Sequence, residues 1–183
     1  NLEHSKERFG IGFATTDYRK LLDNEEIFAV NVSTPNSTHY EICKAALEKG
    51  KHVLVEKPMT LSSVEAKKLI ELAEKRNLAL SVGHIYRFNN ALAEMRRLIE
   101  QNFFGRIYLI ELTWVNLEPL YKDRDVVFDL APHSFDILNY LLREWPYEVS
   151  CVGGAYRRRE PEETAYITAK FRNGMIAHTN LSW

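Results

Sequence analysis

Three short apolar segments alternate with two amphipathic ones over residues 27–82. The apolar segments are short enough to be strands, and they lie at 27–32, 52–55 and 78–82. The amphipathic segments carry apolar residues at helical spacing, and they lie at 37–49 and 63–76. This order with short connections predicts a parallel sheet with right-handed crossovers, which is half or more of a doubly wound α/β fold. The nearly continuous apolar run of the first strand predicts burial on both of its faces.

The pattern changes after Gly83-His84. Two helices are predicted there, at 91–101 and 129–142, and three strand segments, at 106–115, 147–156 and 164–183. The last segment contains Asn173-Gly174, which favours a type I′ hairpin turn. We therefore expect a partial doubly wound (Rossmann) parallel sheet at 1–84, followed by an α+β domain with an antiparallel sheet at 85–183.

Composition excludes several classes of protein. The chain has 183 residues and a formal net charge of −1, with no basic stripe among its aromatic residues, so nucleic acid is not an expected partner. It has no apolar run of about 18 residues and no signal-like start, so we expect a cytoplasmic protein that does not enter a membrane. Two distant cysteines, Cys43 and Cys151, predict neither a disulfide framework nor a zinc site.

A lysine and a proline follow the second predicted strand directly, in Glu56-Lys57-Pro58. Proline cannot continue a strand ladder, so the chain must turn at this point. Ligands of open α/β sheets bind beyond the carboxyl ends of the strands, where Lys57 is expected to lie. The Lys57-Pro58 bond is a candidate for the cis form. The alternative interpretation is a surface lysine whose stem covers apolar groups.

The other two strand ends also carry polar residues. The turn at 34–39 combines hydroxyls, an amide and a helix N-terminus, which suits a phosphate, ribose or carboxamide, although an ordinary capped turn has the same composition. The stretch at 83–89 presents His84, Tyr86 and Arg87. A guanidinium there can bind a phosphate or carboxylate in bidentate fashion, or form an inter-domain salt bridge.

Asp129, His133 and Asp136 are spaced to share one face of a predicted helix. An imidazole beside a carboxylate is a pre-oriented general base. Two alternatives stay open at this point. The acidic residue can serve the helix dipole while the histidine bonds a core carbonyl, or the three residues can bind a metal, for which no further His or Cys cluster lies nearby.

Taken together, these elements resemble the Gfo/Idh/MocA family, named for glucose–fructose oxidoreductase and inositol dehydrogenase. The resemblance covers the chain from about residue 13 onward and is most specific in the combination of Glu-Lys-Pro with Asp-x-x-x-His. The matching stretches are 32–36 with His39, 56–58, 83–84 with 87–88, and 129–133 with Asp136. Within the family, 83–89 and 128–142 look most like the UDP-N-acetyl-sugar 3-dehydrogenases.

The resemblance implies NAD- or NADP-dependent hydride transfer at a hydroxyl carbon of a sugar or nucleotide-sugar, such as C3 of a UDP-N-acetyl-hexosamine or its uronate. It assigns catalysis to His133 as base, Asp129 as its orienting partner and Lys57 as hydrogen-bond donor to the substrate oxygen. The family places cofactor contacts at Thr34, Pro35, Asn36, His39, Glu56 and Lys57. It places substrate contacts at Lys57, Arg87, Asp129 and His133, with no metal.

The chain departs from the family at one motif, since Gly-x-Gly-x-x-Gly occurs nowhere in it. That loop normally binds the cofactor pyrophosphate, so we expect a chain truncated at both ends, with the choice between NAD and NADP not readable. The alternative is a non-catalytic binding, sensor or structural protein that kept the fold and lost the dinucleotide loop. Under either interpretation, homo-oligomerisation through the C-terminal sheet is expected.

Overall fold

The computed structural model describes residues 2–118, 124–157 and 160–183. The chain divides into two compact units, Asn1–Gly83 and His84–Trp183. The predicted division lay one residue later, between 84 and 85. No helix within the described ranges combines the length and the apolar character that crossing a bilayer needs.

The first unit is built on a three-stranded parallel sheet in the order β1-β2-β3. Its strands are β1 (Ala29–Val32), β2 (His52–Val55) and β3 (Leu80–Val82). Its helices are α1 (Leu2–Phe9), α2 (Tyr18–Leu22), α3 (His39–Glu48) and α4 (Ser63–Arg76), and a 3₁₀ turn, Asn36–Thr38, precedes α3. The parallel sheet with helical crossovers was predicted from the alternation of segments and is confirmed.

One face of this sheet carries the core of the first unit. Helices α3 and α4 pack against each other and against the strands, around Cys43, Leu47, Val55 and Leu69, all fully buried. The strand order of this sheet follows the sequence. In such a sheet, two successive right-handed crossovers place both helices on the same face. Cys43 lies in this core, and burial raises the pKa of its thiol to about 11.

The opposite face of the sheet is open in the first unit. Ala29 and Asn31 of β1 are exposed, and Leu54 of β2 is 45% exposed. The prediction that the first strand is buried on both faces is therefore wrong for the residues described. The apolar run predicted the strand correctly. It did not predict how many layers of helices cover the sheet, because that number depends on the strand order.

The second unit is a four-stranded sheet in the order β4-β7-β6-β5, covered on one face by helices. Its strands are β4 (Leu109–Val115), β5 (Glu148–Gly154), β6 (Thr164–Lys170) and β7 (Ile176–Ser182). Its helices are α5 (Asn90–Glu100) and α6 (Val126–Leu142), preceded by a 3₁₀ turn, Ile85–Phe88. Helix α6 packs on β6 and β7, and α5 packs on α6.

The sheet of the second unit is mixed, whereas an antiparallel sheet was predicted. Strands β5, β6 and β7 are antiparallel as predicted, but β4 pairs with β7 in parallel. Helix α6 returns the chain so that β5 runs in the direction of β4, as helical crossovers do. The β5–β6 and β6–β7 connections then reverse the chain twice, so β7 runs in the same direction as β4. Strand β7 therefore pairs with β4 in parallel.

The turn between β6 and β7 differs in type from the predicted one. Phe171 N donates to Met175 O and Gly174 N donates to Phe171 O, both at 3.0 Å, which closes a three-residue loop. Among the described residues 171–175, positive φ occurs at Gly174 alone, at +85°. A type I′ turn needs positive φ at both central residues, so the predicted hairpin is confirmed but its turn is of the three-residue class with a left-handed glycine.

Helix α6 begins three residues earlier than predicted, because Asp125 caps it. The Asp125 carboxylate accepts from the backbone N–H of Phe128 at 2.7 Å. The helix ends at Arg143, which adopts a left-handed conformation with φ of 55°. This extent places Asp129, His133 and Asp136 within one helix, which also contains Pro132.

Replacing Gly174 tests the turn. Gly174→Ala is expected to lower the free energy of unfolding by about 1–2 kcal/mol, because an L side chain disfavours positive φ. Space is not the cause, since the added Cβ would lie 3.7 Å from Arg106 Nη2. Urea denaturation measures the change. The matched control is Gly12→Ala, where φ is not positive and no atom lies within 4 Å of the added Cβ, and it should be neutral or slightly stabilising.

Candidate active-site residues

The carboxyl ends of β1, β2 and β3 lie at one edge of the parallel sheet in the first unit. Thr34 and Pro35 follow β1 and are exposed, as is Glu56 after β2. The Glu56 carboxylate lies beside the end of β3, where a Cβ added to Gly83 would be 3.4 Å from its Oε1. Asn36 belongs to the same turn but is buried. Sheet topology therefore brings these predicted cofactor residues to one edge, as expected for open α/β sheets.

Lys57 lies at this edge, two residues after β2 ends, and is half-buried. The ladder continues up to its neighbour, since Glu56 N donates to Val32 O at 2.9 Å. The Lys57-Pro58 peptide bond is cis, as was proposed from the sequence.

His39 joins the loops that follow β1 and β2. It is fully buried, and its ring nitrogens Nδ1 and Nε2 lie 2.9 Å from Pro58 O and 2.8 Å from Thr34 O. Both acceptors are carbonyl oxygens, so a neutral ring donates to one of them and an imidazolium donates to both. Both ring nitrogens therefore contact loop carbonyls, and His39 connects the loop after β1 to the loop after β2. Direct contact between His39 and a cofactor stays a prediction.

In the second unit, α6 carries His133 with Asp129 one turn before it and Asp136 one turn after it. Asp129 lies in an ion pair with Arg124, with Nε 3.7 Å from Oδ1. Orientation of the His133 ring by Asp129 stays a prediction. Within the described part of the chain, no group of three or more His, Cys, Asp or Glu side chains is arranged to hold a metal ion.

Two aromatic side chains surround the imidazole of His133. Trp114 of β4 stacks on it, with ring centroids 5.6 Å apart and an interplanar angle of 27°. Tyr86 of the 3₁₀ turn meets it edge-on at 5.0 Å and 82°. These residues line a cavity of about 440 Å³ together with Asn116, Glu118, Asp129 and Trp183. The sequence did not indicate Trp114, whose only signal was its place on the core side of an alternating strand.

Arg87 forms a bidentate ion pair with Asp136 inside the second unit. Its Nε lies 2.8 Å from Oδ1 and 3.0 Å from Oδ2, and its Nη2 lies 2.7 Å from Oδ1. Asp136 is 6% exposed, and His84 Nδ1 lies 4.0 Å from its Oδ2. The salt-bridge alternative for Arg87 is thus observed, although within one unit rather than between domains. Its predicted contact with substrate stays a prediction.

Models of two protein domains match this chain. Residues 1–84 match an oxidoreductase family with an NAD-binding Rossmann fold, and residues 92–183 match the GFO/IDH/MocA C-terminal domain. Together the two matches cover nearly all of the chain and agree with the resemblance drawn from the motifs.

Individual relatives are dehydrogenases. UDP-N-acetylglucosamine 3-dehydrogenase of Acidithiobacillus ferrooxidans is 35% identical over 154 residues, which cover 84% of this chain and 48% of that protein. Its solved structure matches with a TM-score of 0.84 at 31% identity, over 98% of this chain and 57% of that chain. Levoglucosan dehydrogenase in complex with NADH and levoglucosan matches with a TM-score of 0.89 at 26% identity, over 98% of this chain and 54% of that chain. The chain spans about half the length of these relatives.

Removing His39 tests its role in joining the loops. His39→Ala is expected to lower the free energy of unfolding by about 2–4 kcal/mol, because it leaves a cavity and removes the ring that contacts the carbonyls of Thr34 and Pro58. Chemical denaturation measures this loss. His4→Ala, at an exposed position of α1, is the control and should change the value by less than about 0.5 kcal/mol. Equal stability of the two variants would show that the loops do not depend on His39.

Replacing Asp136 tests the ion pair of the second unit. Asp136→Asn keeps the side-chain size but removes the charge, and should cost about 1–3 kcal/mol of stability, less than a fully buried pair because the Arg87 side chain is 42% exposed. Glu94→Gln removes the carboxylate of the exposed pair with Arg97 and should have no measurable effect. Thermal unfolding of both variants measures the difference. A loss no greater in Asp136→Asn than in Glu94→Gln would contradict the role given to the buried pair.

Proposed function

Because the chain belongs to the Gfo/Idh/MocA family of NAD-binding oxidoreductases, we propose that its full-length gene product transfers a hydride between a nicotinamide cofactor and a hydroxyl carbon of a sugar. The single observation that carries this proposal is the imidazole of His133 at the wall of a cavity of about 440 Å³, on a helix that also carries Asp129. A histidine so placed is suited to exchange a proton with a bound hydroxyl.

The proposed substrate is a nucleotide-sugar, such as a UDP-N-acetyl-hexosamine or its uronate, reacting at C3. Support comes from the 35% identity to UDP-N-acetylglucosamine 3-dehydrogenase and from the match to its solved structure. The narrower motif resemblance at 83–89 and 128–142 points the same way. The structure of levoglucosan dehydrogenase, which shares this fold, contains levoglucosan, so the fold alone does not select the sugar.

The edge of the parallel sheet fits the nicotinamide end of the cofactor. Exposed polar groups of Thr34 and Glu56 suit ribose hydroxyls and a carboxamide, and His39 holds the loops on which Thr34 and Pro58 lie. The Gly-x-Gly-x-x-Gly loop that cradles a pyrophosphate is not in this sequence, so the residues present fit only that end. When bound, the cofactor supplies the hydride acceptor or donor.

The residues of this chain would handle the proton and the oxygen. His133 removes the proton from the substrate hydroxyl during oxidation and returns it during reduction. Asp129 orients the ring and stabilises its charged form. Lys57 donates a hydrogen bond to the oxygen as negative charge develops there, which stabilises the transition state more than the ground state. Arg87 is the proposed contact for a distal part of the substrate.

The exposed face of the C-terminal sheet is a candidate surface for self-association. The face of the C-terminal sheet away from α6 exposes Leu109, Val152, Tyr166 and Ile176 on its four strands. We propose that copies of the protein associate through this face, as apolar groups on an open sheet favour. A cytoplasmic location stays a prediction.

A non-catalytic binding or sensor protein is the competing assignment. The missing glycine-rich loop favours it, whereas the presence of Lys57, Asp129 and His133 favours the enzyme. A sensor would bind a sugar or dinucleotide without producing or consuming reduced nicotinamide.

Turnover by variants of the full-length gene product tests the proposal. The protein is titrated with NAD⁺, NADP⁺ and a panel of UDP-sugars while absorbance of the reduced nicotinamide is followed. His133→Ala is expected to lower kcat by about 10²–10⁴-fold, as loss of a general base does, and Lys57→Ala by about 10²–10³-fold, as loss of an oxyanion donor does.

His4→Ala and Lys67→Ala, both at exposed helical positions, are the matched controls and should keep wild-type rates. Circular dichroism should show all four variants folded. Near-normal kcat in His133→Ala or Lys57→Ala would remove that residue from the mechanism, and binding without turnover by the wild-type protein would favour the sensor.

A further inference from the structure

We propose that Trp114, with Tyr86, is a positioning residue that fixes the imidazole of His133 in the orientation in which it exchanges a proton with the substrate. This inference rests on the proposed function. It adds to that function a residue that touches neither the reacting hydroxyl nor the cofactor in the proposed mechanism. Trp114, Tyr86 and His133 are called the aromatic bracket below.

The aromatic bracket restricts the imidazole from two directions. Trp114 covers a face of the ring in a stacked arrangement, at 5.6 Å and 27°, and Tyr86 stands nearly perpendicular to it, at 5.0 Å and 82°. Tyr86 and Trp114 also contact each other, edge to face, at 5.1 Å and 73°. Each ring therefore contacts both of the others. A rotation of the imidazole away from this position would break two favourable ring contacts.

Trp114 is itself held by the sheet. It lies opposite Leu181 in the parallel β4–β7 pair, and its ring packs against the buried cluster that contains Leu181, Val126 and Ile167. Its indole Nε1 is buried and has no hydrogen-bond acceptor among the residues that the structure describes. Hydrogen bonding by the indole N–H therefore does not explain a tryptophan at this position. The large flat ring explains it, because the ring reaches from the sheet to His133.

Tyr86 is held by its neighbour in sequence. The ion pair of Arg87 with buried Asp136 ties the 3₁₀ turn to α6, one helical turn after His133. The turn and the helix therefore present Tyr86 and His133 to each other as parts of one anchored arrangement.

A stacked indole also suits the charge that His133 gains. An aromatic face attracts a cation, so it stabilises the imidazolium formed when the ring takes a proton. The other charged or titratable groups around this cavity are Asp129 with its partner Arg124, Glu118 and the Tyr86 phenol. Trp114 differs from these groups because it acts on the ring without titrating.

The first test is the kinetics of Trp114 variants in the full-length gene product. Trp114→Leu removes the stacked ring and should lower kcat about 10–100-fold, since small misplacements of a catalytic group cost that much, while KM changes less than about threefold. Trp114→Phe keeps a ring over the imidazole and should recover most of the lost rate. Trp145→Leu, at an exposed tryptophan of the same unit, is the control and should keep wild-type kcat.

The second test reads the position of the imidazole without turnover. In NMR spectra of ¹³C-labelled histidine, the signal lost in His133→Ala identifies the ring of His133. An indole stacked on that ring shields its protons, so Trp114→Leu should move this signal downfield and Trp114→Phe should move it by a smaller amount. Trp145→Leu should leave it in place. If Trp114→Leu does not fold, Trp114→Met and Tyr86→Leu replace it in both tests.

The outcomes separate the two proposals. Wild-type turnover that falls in His133→Ala but not in Trp114→Leu would overturn the role of the aromatic bracket and leave the proposed function intact. An unchanged His133 signal in Trp114→Leu would overturn it equally. A wild-type protein that turns over no sugar would remove the proposed function, and with it the role of Trp114, even if the NMR shift were as expected. Lower kcat, rescue by phenylalanine and the downfield shift together would establish Trp114 as a positioning residue.

Discussion

The arrangement around His133 depends on one buried carboxylate, that of Asp136. A carboxylate this deeply buried requires a partner, and Arg87 supplies it through two nitrogens. The pair connects a turn at the start of the second unit to α6. Arg87 and Asp136 are 49 positions apart in sequence. Tyr86 adjoins Arg87 in sequence and His133 lies one helical turn before Asp136, so the ion pair joins the two elements whose rings meet.

The first unit uses the side chain of His39 in a comparable way. The strand ends leave two loops with unpaired carbonyls, and the fully buried ring of His39 bridges them. Thr34, Pro35 and Glu56, which are expected to contact a cofactor, follow these strand ends and are exposed. In both units, a side chain that is hidden from solvent fixes the conformation of the residues proposed to bind or react. Groups held in place before the ligand arrives need less reorganisation during binding and catalysis.

Local sequence signals predicted much of this fold. The alternation of short apolar strands with amphipathic helices predicted the parallel sheet. A helical period of 3.6 residues also predicted that His133 and Asp136 lie on one helix, and both lie on α6. Features decided by long-range pairing were not predictable in this way. The parallel pairing of β4 with β7, the open face of the first sheet and the contact of Trp114 with His133 all depend on which elements become neighbours.

The most direct measurement of the role given to His133 is chemical rescue of His133→Ala by free imidazole in the full-length gene product. The substitution leaves a cavity between Trp114 and Tyr86 that an imidazole molecule can fill. If His133 is the base, the variant should have little turnover alone and should regain at least about tenfold in kcat as imidazole is added, with saturation. Wild-type turnover in the variant without imidazole, or a rate that stays low at every imidazole concentration in a folded protein, would contradict that role.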